Sequence, residues 1–187
     1  EFGYVLTGVI SCAMRRKENF NYKKVLENAK RIVVLEDVEN PTNIGAIFRS
    51  AAAFGIDAVL LSPACVDPFY RRAMRVSVGN ALLVPWAYIG SSEARWKEEG
   101  IGWLKEEGFQ TVAMALRSDN IRIDDPVLKQ KDRLAIIMGN EGQGLAESTI
   151  NAADYVAKIP MMNGVDSLNV AVAAGLAMWE LTQHRNQ

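Results

Sequence analysis

Three polar clusters in this chain are placed to do chemistry, and each follows an apolar run. The first is Asn40-Pro41-Thr42-Asn43-Ile44-Gly45-Ala46-Ile47-Phe48-Arg49. Asparagine followed by proline reads as a helix start, with Asn40 as N-cap and Pro41 in the first turn. Asn43 then lies near the helix N-terminus and Arg49 about two turns in, off the apolar face. The carboxyl ends of strands in an open α/β sheet are where ligands bind, and this cluster stands just beyond one. A plain cap and a solvated arginine would explain the same residues.

The second cluster is Ile137-Met138-Gly139-Asn140-Glu141-Gly142-Gln143-Gly144-Leu145, a strand running into a glycine-rich turn. Glycine permits conformations and close approaches that other residues forbid. The Lys-Ser/Thr pair of a P-loop is absent, and the spacing is not GxGxxG. A phosphate cradle would also avoid Glu141. A carboxylate in such a loop suits a ligand with hydroxyl, ammonium or sulfonium groups, and a simple turn is the alternative. In the third cluster, Ile159-Pro160-Met161-Met162-Asn163-Gly164-Val165-Asp166-Ser167-Leu168-Asn169, a strand end leads through a loop into an apolar helix. Ser167 is placed as N-cap and Asn169 in the first turn, which would also serve as a cap without chemistry.

Other residues narrow the options. The only histidine is His184, near the C-terminus, so a Ser-His-Asp or Cys-His nucleophile system lacks its base. Cys12 and Cys65 lie far apart with no CxxC; they read as buried reduced thiols rather than a zinc site or a disulfide framework. The 187 residues are 49% hydrophobic and 23% charged, ordinary for one globular α/β domain. No apolar run approaches the roughly 20 residues of a membrane span, and no signal-peptide pattern opens the chain, so a cytoplasmic protein is expected. A net charge of −1 weighs mildly against a nucleic-acid partner. Locally, however, Arg71, Arg72 and Arg75 share a helical face, as a basic patch or merely a solvated one.

These residues need a scaffold, and the apolar runs supply it. Arg31–Leu35 (RIVVL) and Ala58–Leu61 (AVLL) read as buried strands on either side of a helix. Ile44, Ile47, Phe48 and Ala51 form that helix's core face, and Gly55 closes it. Further strands are expected at 82–84, 111–116, Leu134–Met138 and 155–159, and helices at 68–76, 93–107, 145–152 and 168–182. The alternation is that of a parallel sheet with crossover helices. The last helix is apolar nearly all round, so something beyond the sheet must cover it, most economically a partner subunit. Residues 1–30, with Arg15, Arg16, Lys17, Lys23 and Lys24, read as a lead-in from a missing domain.

In this order and context, NPTNIGAIFR, IIMGNEGQGL and IPMMNGVDSLNVAVA resemble the three motifs of the SpoU (TrmH-like) branch of the SPOUT RNA 2′-O-ribose methyltransferases, over about residues 31–182. The resemblance implies an α/β, parallel-sheet SPOUT domain with a C-terminal trefoil knot. Periodicity and composition show no knot, and knots are otherwise essentially absent. It also implies S-adenosylmethionine as methyl donor, touching Gly139, Ile159 and Leu168, with Met138, Glu141 and Met161 nearby. Ala115 and Leu116, at the end of the preceding strand, are further candidates.

Arg49 matches the family's catalytic arginine, and Asn43, Glu141, Ser167 and Asn169 match the polar residues around it. The reaction would be in-line attack by a ribose 2′-oxygen of rRNA or tRNA on a sulfonium methyl group, carried largely by positioning. Because a guanidinium stays protonated in nearly every setting, Arg49 would hold the adjacent phosphate and stabilise the developing alkoxide. Glu141 or Ser167 would orient the hydroxyl. Arg71, Arg72 and Arg75 would grip the RNA backbone, and residues 1–30 would lead in from an N-terminal RNA-binding domain. A homodimer is expected, with no membrane and no metal. Asp166 adds an acid near the expected RNA path. The competing function is a non-catalytic RNA-binding module that keeps the fold, against which the joint retention of Arg49, Glu141, Ser167 and Asn169 argues. A dinucleotide-binding oxidoreductase lacks its fingerprint.

Overall fold

The structure, a computed structural model, describes residues 21–117 and 120–182. Along the chain run α1 (Tyr22–Leu26), β1 (Arg31–Leu35), α2 (Pro41–Ala53), β2 (Ala58–Leu61), α3 (Arg71–Val76), a 3₁₀ turn (Asn80–Leu82), β3 (Trp86–Tyr88) and α4 (Glu93–Glu106). Then follow β4 (Gln110–Met114), β5 (Ile121–Arg122), α5 (Pro126–Lys129), β6 (Leu134–Met138), α6 (Glu147–Ala152), β7 (Tyr155–Lys158) and α7 (Val170–Thr182). Cys12, His184, Arg15, Arg16 and Lys17 lie outside the described residues.

Unbroken Val/Ile/Leu runs make strands that are buried on both faces, which suits a parallel sheet covered by helices. All the strand pairs are parallel, in the order β3-β2-β1-β6-β4-β7-β5. Leu35 is in register with both Leu61 and Met138, so β1, β2 and β6 end level with one another. Successive side chains point to opposite faces. Val33 and Leu35 enter one core with α2, α3, α5 and α7, whereas Ile32 and Val34 enter the other with α1, α4 and α6.

The β1-α2-β2 unit matches the sequence reading. Asn40 Oδ1 accepts from the Thr42 amide at 2.9 Å, and Gly55 takes φ +68 just past the helix end. The strand expected at 82–84 is not one. Gly79, at φ +80, starts a 3₁₀ turn instead, Leu82 and Leu83 face outward, and the strand begins only after Pro85. Ser167 does not cap the last helix either. Asn169 Oδ1 accepts from the amides of Ala171 (3.0 Å) and Val172 (3.4 Å), and the helix starts at Val170. In the stretch read as a lead-in, Leu26 and Ala29 are part of the core, and the Arg133 guanidinium donates to both of their carbonyls. The last helix packs on α2 but leaves a stripe half exposed: Val172, Leu176 and Trp179.

Gly45 fixes how α3 sits on α2. A Cβ there would lie 2.6 Å from the Ala73 carbonyl oxygen and 2.8 Å from Val76 Cβ, mostly unyielding backbone contacts. A Cβ at Gly102 of α4, by contrast, would meet nothing within 4 Å. Gly45→Ala should therefore cost about 1–3 kcal/mol through overpacking, lowering the melting temperature by roughly 2–4 °C per kcal/mol. Gly102→Ala should leave it unchanged or raise it. Equal behaviour of the two variants in a thermal melt would contradict this packing.

Candidate active site

Three side chains from the three sequence clusters are bonded in a line. Asn43 Nδ2 donates to Glu141 Oε1 at 2.7 Å, and Asn43 Oδ1 accepts from Asn169 Nδ2 at 3.1 Å. Asn169 at the same time caps α7 through its Oδ1. Asn43 is buried, so both ends of its carboxamide need partners, and residues from distant parts of the chain supply them. The first turn of α2, the glycine loop and the start of α7 are thereby held together.

The glycine loop is itself pinned. Asn140 exchanges backbone hydrogen bonds with Gly144 at 3.1 and 3.0 Å. Its Oδ1 accepts from the amides of Gly142 (2.7 Å) and Gln143 (3.2 Å), and its Nδ2 donates to the Asp37 carbonyl at 2.7 Å. Gly139 admits no side chain, since a Cβ would stand 2.3 Å from the Gly144 carbonyl carbon. Beneath the loop lies Glu36, 1% exposed at the carboxyl end of β1. Its Oε1 accepts from the Ala146 amide at 2.6 Å, and its Oε2 from Trp96 Nε1 at 2.8 Å and Thr149 Oγ1 at 2.5 Å. Sequence reasoning missed Glu36 and Asn140. An acid directly after an apolar run looks like the start of an exposed loop, and only the fold reveals three donors around it.

Above β4, β6 and β7 opens a cleft of about 470 Å³. Met138, Gly139, Ile159, Met161, Leu168, Leu116 and Ala115 line it, which are the residues expected to meet a methyl donor. Glu141, Ser167 and Asp166 supply its acidic and hydroxyl groups, and Arg117 donates to Glu147 at its edge. Leu116 and Leu168 are half exposed. Asn120 Nδ2 donates to the Ala115 carbonyl, while its buried Oδ1 has no partner among the described residues. Apolar walls, the acids at its mouth and an orphaned acceptor beside Ala115 fit a flat heterocycle carrying a cationic tail.

Arg49 is placed differently. It is exposed, does not line the cleft, and makes no hydrogen bond or ion pair among the described residues. Arg49 follows Gly45 by one turn, so it lies toward α3, whereas Asn43 points about 120° away from it at 100° per residue. Arg71, Arg72 and Arg75 are exposed around a separate cavity of about 640 Å³ with Tyr70 and Val76. Cys65 is buried; desolvation pushes its thiol up to about 11, and it donates to the Leu35 carbonyl. It is a packing residue beneath β1, not a nucleophile. Among the described residues no group of His, Cys, Asp and Glu could hold a metal, and no helix is long and apolar enough to cross a membrane.

Comparison with known proteins converges on one family. The model of the SpoU rRNA Methylase family matches residues 30–179. An uncharacterized tRNA/rRNA methyltransferase of Mycobacterium tuberculosis is 41% identical over 94% of this chain and 59% of its own length. The 23S rRNA (guanosine-2′-O-)-methyltransferase RlmB of Coxiella burnetii is 32% identical over 87% of this chain and 62% of its own. An AdoMet-bound rRNA methyltransferase from Sinorhizobium meliloti superposes with a TM-score of 0.76 at 29% identity, covering 87% of this chain and 61% of that one. The chain thus spans about 53–68% of the length of the curated relatives it matches.

The environment of Glu36 accepts only an acceptor. In Glu36→Gln the amide N–H₂ would face a donor at either oxygen position, leaving the pocket mispaired at a cost of about 1–3 kcal/mol. Denaturant unfolding should show that loss, and Glu36→Gln as stable as the parent would show that the three donors do not depend on it.

Proposed function

Since this chain belongs to the SpoU rRNA methylase family, we propose that it is an S-adenosylmethionine-dependent methyltransferase acting on a ribose 2′-hydroxyl of rRNA or tRNA. The observation that carries the proposal is the Glu141–Asn43–Asn169 line, which gathers the three motif loops at one cleft. When bound, S-adenosylmethionine supplies an electrophilic sulfonium methyl group. Met138, Gly139, Ile159, Met161, Leu168 and Leu116 would hold it, their apolar surface taking the adenine and their main chain its polar edge. Glu141, at the cleft, would answer the positive charge.

Positioning does most of the work in such a transfer. Glu141 accepts a hydrogen bond readily, and Ser167 can donate or accept, so the pair can orient a ribose hydroxyl at the cleft mouth. Asn43 and Asn169 act through Glu141 and the α7 cap rather than by touching the reactants. Because Arg49 does not line this chain's own cleft, it would serve the cleft of a partner subunit, gripping the phosphate next to the target ribose and stabilising the alkoxide as the hydroxyl loses its proton, a task suited to a planar bidentate cation. Arg71, Arg72 and Arg75 bind the RNA backbone.

The half-exposed stripe Val172, Leu176 and Trp179 supports a homodimer through α7, since an apolar face of this kind calls for cover. A trefoil knot in the C-terminal segment is inferred from membership of the family. The last strand, β7, lies between β4 and β5, so residues 159–169 leave from inside the sheet to reach α7. An enzyme of this kind would work on RNA in the cytoplasm.

Calorimetric titration should show this chain binding S-adenosylmethionine, and a folded Gly139→Ala variant failing to do so. No heat of binding from the parent protein would favour a non-catalytic RNA-binding module. In Arg49→Lys, turnover should fall by about tenfold or more while S-adenosylmethionine affinity holds. Near-normal turnover would mean that the guanidinium fork is not needed.

A further inference from the structure

The nine described arginines sort into two groups. Arg95, Arg117 and Arg122 pair with Glu99, Glu147 and Asp124, and Arg31 and Arg133 donate to main-chain carbonyls. Arg49, Arg71, Arg72 and Arg75 have no such partner among the described residues, and all four lie on α2 and α3, the helices locked at Gly45. In a chain of net charge −1, the uncompensated guanidinium groups are gathered on one side. Among the described arginines these four alone have no acid or carbonyl partner, and they share one pair of packed helices.

Beside them two neighbouring aromatics take opposite directions. Phe69 turns inward, its ring 5.1 Å from that of Trp86 and edge-on to it. Tyr70 turns outward, 56% exposed, and its side chain makes no cap bond to α3. Tyr70 borders an open concavity along α3 shared with Arg71, Arg72, Arg75 and Val76.

We propose that this concavity receives one unpaired nucleobase of the RNA, stacked on Tyr70, with the flanking phosphates held by Arg71, Arg72 and Arg75. The inference rests on the RNA methyltransferase reading and deepens it by naming the substrate form. A base offers its π-face to a protein aromatic only when it is unstacked. The deep, narrow major groove of an A-form duplex hides base edges, and its stacked bases leave no free face. The arginines contribute sequence-independent affinity, and the ring contributes selectivity for single strands.

The test is fluorescence anisotropy with a labelled 12-nucleotide oligoadenylate, alone and annealed to oligouridylate, run at several salt concentrations. The parent protein should prefer the single strand. Tyr70→Ala should weaken single-strand binding roughly five- to a hundred-fold with its salt slope intact and duplex binding unchanged, while Tyr70→Phe should bind like the parent. Arg72→Gln should lower the salt slope by about one for both forms. Undiminished single-strand affinity in Tyr70→Ala, or an equal loss on the duplex, overturns the base pocket. Either result leaves the methyl-transfer reading standing, because S-adenosylmethionine titration of the same variant reads that separately. A parent protein that binds S-adenosylmethionine but neither oligonucleotide overturns the RNA partner itself and the pocket with it.

Discussion

The carboxamide of Asn43 is bonded at both ends, to the Glu141 carboxylate at 2.7 Å and to the Asn169 amide at 3.1 Å. Bonds spanning 98 and 126 positions of the chain thus meet on one side chain, and the cleft is shaped by them. The shorter bond has a charged acceptor, which makes it the stronger of the two. Remove Glu141 and a buried amide is left without its acceptor, a loss of about 1–3 kcal/mol. Remove Asn169 and the other end of Asn43 loses its donor while α7 loses its cap. The three loops therefore hold their positions jointly.

Beneath the relay, the sheet provides a floor that cannot drift. β1 and β6 run in register to Leu35 and Met138, and a polar residue just beyond each strand extends the lock. Glu36 donates its amide to Met138 and accepts with its carboxylate from Ala146, Trp96 and Thr149. Asn140 ties the glycine loop back to Asp37. One polar side chain at each strand end thus converts a flexible glycine loop into a fixed one. Glycine at 139 and 144 is then required by contact and by φ +72 respectively, not by looseness.

Much of this was legible before any coordinates. The β1-α2-β2 unit was readable because its apolar residues recur over whole turns and its ends carry an Asn-Pro start and a glycine stop. β6 was readable as an unbroken five-residue apolar run. α1, β5 and α5 span five, two and four residues, too few to show any period. Ser167 and Asn169 are both good caps in isolation. The tertiary bond from Asn43 settles the choice for Asn169, and no local signal carries that bond. Arg49 could be placed off the apolar face of its helix, but the direction it takes depends on the close approach of α3 at Gly45. Glu36 stayed hidden because its partners come from α4 and α6, well over fifty residues away.

The relay is tested most directly by a double-mutant cycle on Asn43→Ala and Asn169→Ala, with S-adenosylmethionine affinity measured by calorimetry. Neither side chain lines the cleft, so any effect on the cofactor must pass through Glu141 and the α7 start. Each single variant should weaken binding, and the pair should lose less than the sum, with a coupling of about 1 kcal/mol or more. Unaltered affinity in both single variants, or losses that add within about 0.5 kcal/mol, would show that the loops are not held by this line of bonds.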